Sequence, residues 1–173
     1  MSIMGGVRIP LQRAFKKILE EIGYPDTQIV FSHQNGLEPE KSYGVINILQ
    51  VNQLGGRNEA SFIEPTSDIL EFTTHHSITI QISFVGTEAG NIGYDFRQAM
   101  VNNRRCFEIL QLANFGITSR SDVRRIPQKK ETAWVEAYNM DIDFTFAVFT
   151  RQSYDWVEYI DVTGERFHIW TRG

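Results

Sequence analysis

The order of apolar and polar positions divides the chain into helical and extended stretches. Between Pro10 and Ile22, Leu11, Phe15, Ile18, Leu19 and Ile22 recur at helical spacing, with Arg13, Lys16, Lys17 and Glu20 between them. Pro10 suits a first helical turn, and Gly23 followed by Pro25 predicts the stop. A short apolar burst, QIVF at Gln28 to Phe31, precedes the polar, turn-rich SHQNGLEPEKS, which reads as a surface loop. Tyr43 to Leu54 then reads as a strand, with Tyr43, Val45, Leu49 and Val51 on one face and Ile46 and Ile48 on the other. Apolar groups on both faces predict a strand covered on both sides for much of its length. Gly55-Gly56 turns the chain, and Asn58 to Glu71, sparse in apolar residues and interrupted by Pro65, reads only weakly as a strand.

The cleanest alternation lies in HHSITIQISFVGTEA. His76, Ile78, Ile80, Ile82 and Phe84 fall on one face, and Ser77, Thr79, Gln81 and Ser83 on the other. Past Gly86 a second helix is predicted from Ala89 to Leu112, its stripe formed by Phe96, Met100, Asn103, Phe107 and Leu110 and widened by Ile92, Ala99 and Cys106. Asn114 and Gly116 are expected to end it. An arginine- and lysine-rich connection from Ser119 to Lys130 leads to a long strand, Trp134 to Phe149, with Trp134, Tyr138, Met140, Ile142, Phe144, Phe146 and Val148 sharing a face. Val157 to Trp170 reads as a closing hairpin turned at Thr163-Gly164. The expected class is α+β: a mainly antiparallel sheet with two helices packed on one face, plus a C-terminal β-hairpin.

Bulk composition narrows the class. A length of 173 residues suits one domain able to bury a core without disulfides or metal. A composition 42% hydrophobic and 22% charged is that of a globular protein, and a net charge of -4 argues against generic nucleic-acid binding. The single cysteine, Cys106, cannot form an internal disulfide. The N-terminal stretch has no apolar run of signal-peptide length and no segment approaches a membrane span, so synthesis in a cytoplasm without membrane association is expected.

Candidate chemistry is sparse. His75 and His76 are adjacent, and neighbours in a strand point to opposite faces, which disfavours a shared metal ion. Asp141 and Asp143 share a strand face at i and i+2, a spacing able to hold a divalent cation, but equally the solvent face of an amphipathic strand. Cys106 sits near an apolar stripe, where free cysteines behave as small hydrophobes. The Gly-Gly pairs and GTEAG lack the lysine and spacing of a phosphate loop, and GxSxG, HExxH and paired CxxC motifs are absent. No catalytic residue, metal site or cofactor is expected. A polar pocket lined by the Ser77–Ser83 face, serving a small-molecule site or an enzyme using Asp141 and Asp143, stays open as an alternative.

Charge is distributed unevenly. Arg97, Arg104, Arg105, Arg120, Arg124, Arg125, Lys129 and Lys130 stand against Glu108 and Asp122 in the middle of the chain. From Glu131 onward, Glu131, Glu136, Asp141, Asp143, Asp155, Glu158, Asp161 and Glu165 stand against Arg151, Arg166 and Arg172. Two ordinary solvated surfaces would account for this. So would a head-to-tail contact between copies, basic patch to acidic patch, which closes into a ring if the rotation permits. An arginine-based nucleic-acid site is a third reading, though the loop lacks interleaved aromatic residues for base stacking.

Four stretches in order resemble the neck or tail terminator proteins of tailed bacteriophages: SYGVINILQVNQLG, HHSITIQISFVGTEA, FGITSRSDVRRIP and ETAWVEAYNMDIDFTF. They cover most of the chain from Ser42 to Thr150, and their order and spacing, not any single motif, carry the resemblance. The N-terminal helix and the last hairpin align to nothing distinctive. The resemblance implies a single domain over 1–173, with an N-terminal helix and loop at 1–41, a core at 42–150 and a C-terminal hairpin at 151–173. It implies a non-enzymatic virion protein without cofactor. Such a protein would form a homohexameric ring on the last ring of the tail tube, stopping tube polymerisation and joining the tail to the head connector. Implied partners are further copies of itself, the tail tube protein, the sheath protein of a contractile tail and the head-completion protein, with DNA passing through the channel without sequence-specific binding. A head-completion or minor tail protein is the neighbouring alternative. Arg120, Arg124, Arg125, Asp141 and Asp143 are the expected intersubunit or tube contacts, and Ser77, Thr79, Gln81 and Ser83 the expected ring-lining face.

Overall fold

The computed structural model describes residues 3–32, 39–62, 69–130, 133–153, 156–162 and 165–170. Helix α1 spans Ile3–Glu21, followed by strands β1 (Gln28–Phe31), β2 (Tyr43–Phe62) and β3 (Ile69–Val85). Helices α2 (Ala89–Asn102) and α3 (Arg104–Leu112) come next. The remaining strands are β4 (Gly116–Arg120), β5 (Arg124–Arg125), β6 (Gln128–Lys130), β7 (Ala133–Val135), β8 (Ala137–Ser153), β9 (Trp156–Val162) and β10 (Glu165–Trp170). The α+β class is as expected. The chain forms two compact units, one of 1–52 and 77–146, the other of 53–76 and 147–173.

In the first unit the sheet runs β1-β2-β3-β8-β4, with β5 also paired to β8. β1 lies parallel to β2, whereas β4 and β5 run antiparallel to β8. Its apolar face carries Ile46, Ile78, Ile80, Ile82, Phe84, Met140, Ile142 and Phe144, all essentially inaccessible to solvent. Helices α1, α2 and α3 supply the opposing layer through Leu11, Phe15, Ile18, Ile92, Phe96, Met100, Cys106 and Leu110. Aromatic rings join the helices to each other and to the sheet: Phe15 to Phe96 at 5.2 Å between α1 and α2, Phe84 to Phe96 at 5.3 Å between β3 and α2, and Phe115 to Phe144 of β8 at 5.8 Å between centroids. Such edge-on pairs add to the burial that drives the core together. Gly44 makes room for this packing, since a Cβ there would lie 2.6 Å from Ile29 Cδ1 and 3.2 Å from the Phe84 ring.

The edge at β1 is closed by helix side chains. Gln12 donates to the Ile29 carbonyl at 2.6 Å, and Lys16 donates to the carbonyls of Pro25 and Thr27. The Gln12 contact occupies an acceptor that an open strand edge would present to other chains, and the Lys16 contacts hold the turn that leads into β1.

Several expectations need correction. Helix α1 begins well before Pro10, which lies inside it. Val7 is buried one turn before Leu11 on the same stripe, so burial outweighs the hydrogen bond that proline cannot make. At its other end the predicted stop is observed, with Gly23 at φ 93° and Tyr24 N–H donating to the Leu19 carbonyl at 2.8 Å. The single helix expected over 89–112 is two, because Asn103 is extended and its side chain accepts from the N–H groups of Arg105 and Cys106, capping α3. Asn103 is therefore a cap and not part of the stripe. Asn114, at φ 64°, ends α3 as expected, whereas Gly116 is already the first residue of β4.

Strand β2 is covered on both sides only near its start. Leu49 is 52% exposed, because the helix layer and the small cluster on the second face reach only the first residues. The long strand predicted from Trp134 is divided at Glu136, whose carbonyl accepts from Gly86 N–H at 3.0 Å. Trp134 consequently belongs to the separate β6–β7 ladder and is exposed. The Ser119–Lys130 connection, read as a loop, contains β5 and β6, formed because β8 and β7 offer backbone partners.

In the second unit, β9 and β10 form the expected antiparallel hairpin, with an irregular register between Phe167 and Ile169. Its predicted turn at Thr163-Gly164 lies outside the described residues, as does Pro65 of the ambiguous 58–71 stretch. The unit also holds an Arg151–Glu71 ion pair at 2.9 Å.

Candidate functional site

The second face of the first unit's sheet is where the predicted polar residues meet. Ser77, Thr79, Gln81 and Ser83 lie half-buried on β3. Across from them on β8, Asp143 accepts from Thr79 Oγ1 and from Ser119 Oγ, each at 2.6 Å. Asp141 accepts from Gln81 Nε2 at 3.1 Å and pairs with Arg124. Ser121 extends the ladder: the Asp141 N–H donates to Ser121 Oγ at 2.9 Å, and the Ser121 N–H donates to the Asp141 carbonyl at 2.8 Å. The small polar groups of β3 therefore satisfy two carboxylates on a partner strand. Sequence reasoning named both strands but missed Ser119 and Ser121; the polar run SRSD within the basic connection is the signal that marks them.

The electrostatics follow from these bonds. The Ser119 and Thr79 hydroxyls hold the Asp143 carboxyl below its ordinary pKa. A carboxylate kept ionised in this way is a weak proton acceptor, which is the wrong direction for a general acid or base near neutrality. Among the described residues no group of three or more His, Cys, Asp or Glu side chains is placed to hold a metal ion. His75 is exposed and His76 buried, on opposite faces as their adjacency requires. Cys106 is fully buried, and burial followed by the charge of Glu21 raises its thiol pKa, leaving it protonated and inert.

The interface candidates separate into two situations. Arg124 joins Asp141, while Arg125 makes a two-pronged ion pair with Glu136 and lowers that carboxyl's pKa. Arg120 lies half-buried on β4 opposite Ile142 and has no ion pair among the described residues. Further pairs join Arg97 to Asp122, Arg104 to Glu108 and Arg105 to Glu21. Much of the basic middle of the chain is thus neutralised by acidic residues that the fold brings to it.

One corner of this face is apolar. Tyr43, Val85 and Ala137 are buried there with Val30, Val45 and Val135 against them. Lys130 of β6 donates to the Tyr43 hydroxyl at 3.0 Å and lies 5.5 Å from the ring centroid. Desolvation lowers the Lys130 pKa. A cavity of about 390 Å³ opens beside this corner, and neither Asp141 nor Asp143 lines it. Next to it, Gly86 turns the chain into α2 at φ 121°, with Ser42 so close that a Cβ would lie 2.5 Å from its Oγ. Ser42 Oγ in turn accepts the Glu88 N–H at 3.1 Å, capping the start of α2 from the residue just before β2. No described helix is long and apolar enough to cross a membrane.

Comparison with known proteins identifies one family. From residue 10 to residue 170 the sequence matches the model of a family described as phage neck terminator protein. No curated protein matches the chain.

Proposed function

Because the chain belongs to the phage neck terminator protein family, whose members are structural proteins of the virion neck, we propose that its copies assemble into a homohexameric ring capping the head-proximal end of the tail tube. The ring stops tube polymerisation and offers the head connector a docking surface. Each copy contributes its whole chain, 1–173, as one subunit. Its partners in this reading are neighbouring copies, the tail tube protein, the sheath protein where the tail is contractile, and the head-completion protein. The observation that carries the reading is the family match across nearly the full length of the chain.

The polar sheet face supports the same reading. Ser77, Thr79, Gln81 and Ser83, with Asp141 and Asp143 beside them, face the channel or a neighbouring copy. Neutral and acidic groups there allow DNA to pass without the phosphate binding that each added cation brings. Arg120, Arg124, Arg125, Asp141 and Asp143 contribute to contacts between copies or with the tube, and the exposed ion pairs exchange partners on assembly. An enzymatic use of Asp141 and Asp143 is disfavoured by Asp143 being held ionised.

The test is electron microscopy of particles from a phage lacking this gene. Filled heads beside unattached tails of uncontrolled length are expected. Joined particles with tails of normal length would refute the reading. For the channel face, Thr79→Lys and Gln81→Lys are expected to slow DNA ejection; normal ejection by both would place that face elsewhere.

A further inference from the structure

Two parts of the chain stand as separate two-stranded sheets, β6–β7 and β9–β10. A pair of strands of this size is marginal by itself in water, and its outer edges offer backbone groups to other strands. The two hairpins differ in character. On β6–β7, Lys129 is exposed and paired across the ladder with Trp134, which is 70% exposed. A tryptophan held on a strand and left in water is the residue type that dominates protein interfaces. Beside it lies the 390 Å³ cavity, lined among others by Tyr43, Val85, Lys130 and Val135. The β9–β10 hairpin is acidic and aromatic in sequence: it carries Glu158, Asp161 and Glu165 against Arg166, which sits across the ladder from Asp161, with Trp156, Tyr159, Phe167 and Trp170 interspersed.

We propose that the β9–β10 hairpin of a second copy docks on the β6–β7 hairpin of the first, with Trp134 and Lys129 at the centre of the contact. Charge complementarity selects this occupant: the basic strand meets the acidic hairpin of the same chain type. The arriving hairpin covers Trp134 and the cavity beside it. The contact joins unlike surfaces, so it is heterologous and repeats around a ring without leaving the two patches unfilled. It rests on the ring reading above and assigns that ring its subunit-to-subunit surface.

The experiment uses the full-length chain. Equal amounts of ¹⁴N- and ¹⁵N-labelled protein are mixed, treated with a zero-length carbodiimide cross-linker and analysed by mass spectrometry. Heavy-to-light links from Lys129 to Glu158 or Glu165 are expected; links confined within one label, or none at these positions, overturn the proposal. In phage, Lys129→Glu and the pair Glu158→Lys with Glu165→Lys, two positions on one face of the hairpin, should each lower incorporation into particles roughly ten-fold, and the three changes together should restore it. Trp134→Ala, which leaves the charges unchanged, should produce a loss of the same order with an unaltered melting temperature. If all these variants enter particles normally and close the tails, this contact is wrong and the ring reading stands. If tails also close when the gene is deleted, both fall.

Discussion

The two faces of the sheet in the first unit share strands but not physics. On one, Ile78, Ile80, Ile82 and Phe84 of β3 meet three helices and lose all contact with water. On the other, Thr79 and Gln81 of the same strand hydrogen-bond Asp143 and Asp141 and stay half-exposed. The first face is held by area and packing, so it tolerates little change in volume. The second is held by directed bonds whose partners water can replace, so its members contribute less to stability and are freer to serve assembly. Stability and surface function are thus divided between alternate residues of one strand.

Four substitutions probe this contrast, in descending order of effect. Phe84→Ala should cost about 3–5 kcal/mol in urea unfolding, because it removes a buried ring that packs on Phe96. A loss below about 1 kcal/mol would show that the apolar face does not dominate. At the junction between the faces, Gly86→Ala should cost about 1–3 kcal/mol, since φ is 121° and the new Cβ would meet the Ser42 backbone at 2.8 Å. Thermal unfolding would register it as a lowered Tm.

On the polar face, Asp143→Asn should cost roughly 1–2 kcal/mol at neutral pH by weakening the charge-assisted bonds from Thr79 and Ser119. It carries a pH signature as well. The folded pKa of Asp143 lies below its ordinary value, so its contribution is fully present above the unfolded value of about 4 and disappears as pH falls through the folded one. The variant should therefore show a shallower loss of stability below about pH 4, and an unchanged acid limb would remove Asp143 from the argument. The smallest effect is expected for Arg124→Ala, less than about 1 kcal/mol, because the guanidinium of its pair with Asp141 is largely exposed. Raising the salt concentration should shrink that difference further.

The parts of this fold that are legible in the sequence are those with local causes. The α1 stripe, the Gly23 stop and the β3 alternation each follow from the chain's own period or from a backbone angle that glycine adopts without strain. Asn103 was harder to read, since an asparagine inside a helical stripe becomes a break only when its side chain takes the N–H groups of the following turn. Trp134 continued the alternation of β8, yet Glu136 bonds to Gly86, and the strand separates there. The candidate site was legible as a set of polar positions on two strands. Its connections were not: Thr79 and Asp143 are 64 residues apart, and nothing local to either one specifies the other.

By itself, then, the sequence determined the α+β class, the apolar faces of α1 and β3, the closing hairpin and the segment order that resembles the neck terminator family, because each depends on short-range periodicity or on ordered motifs. Only the tertiary structure decided that the basic connection pairs with β8, that Arg124 and Arg125 find Asp141 and Glu136, and that Trp134 remains in water. Those outcomes depend on which distant strands share a sheet, and strand pairing is chosen by the burial of the whole core and not by the residues that end up facing each other.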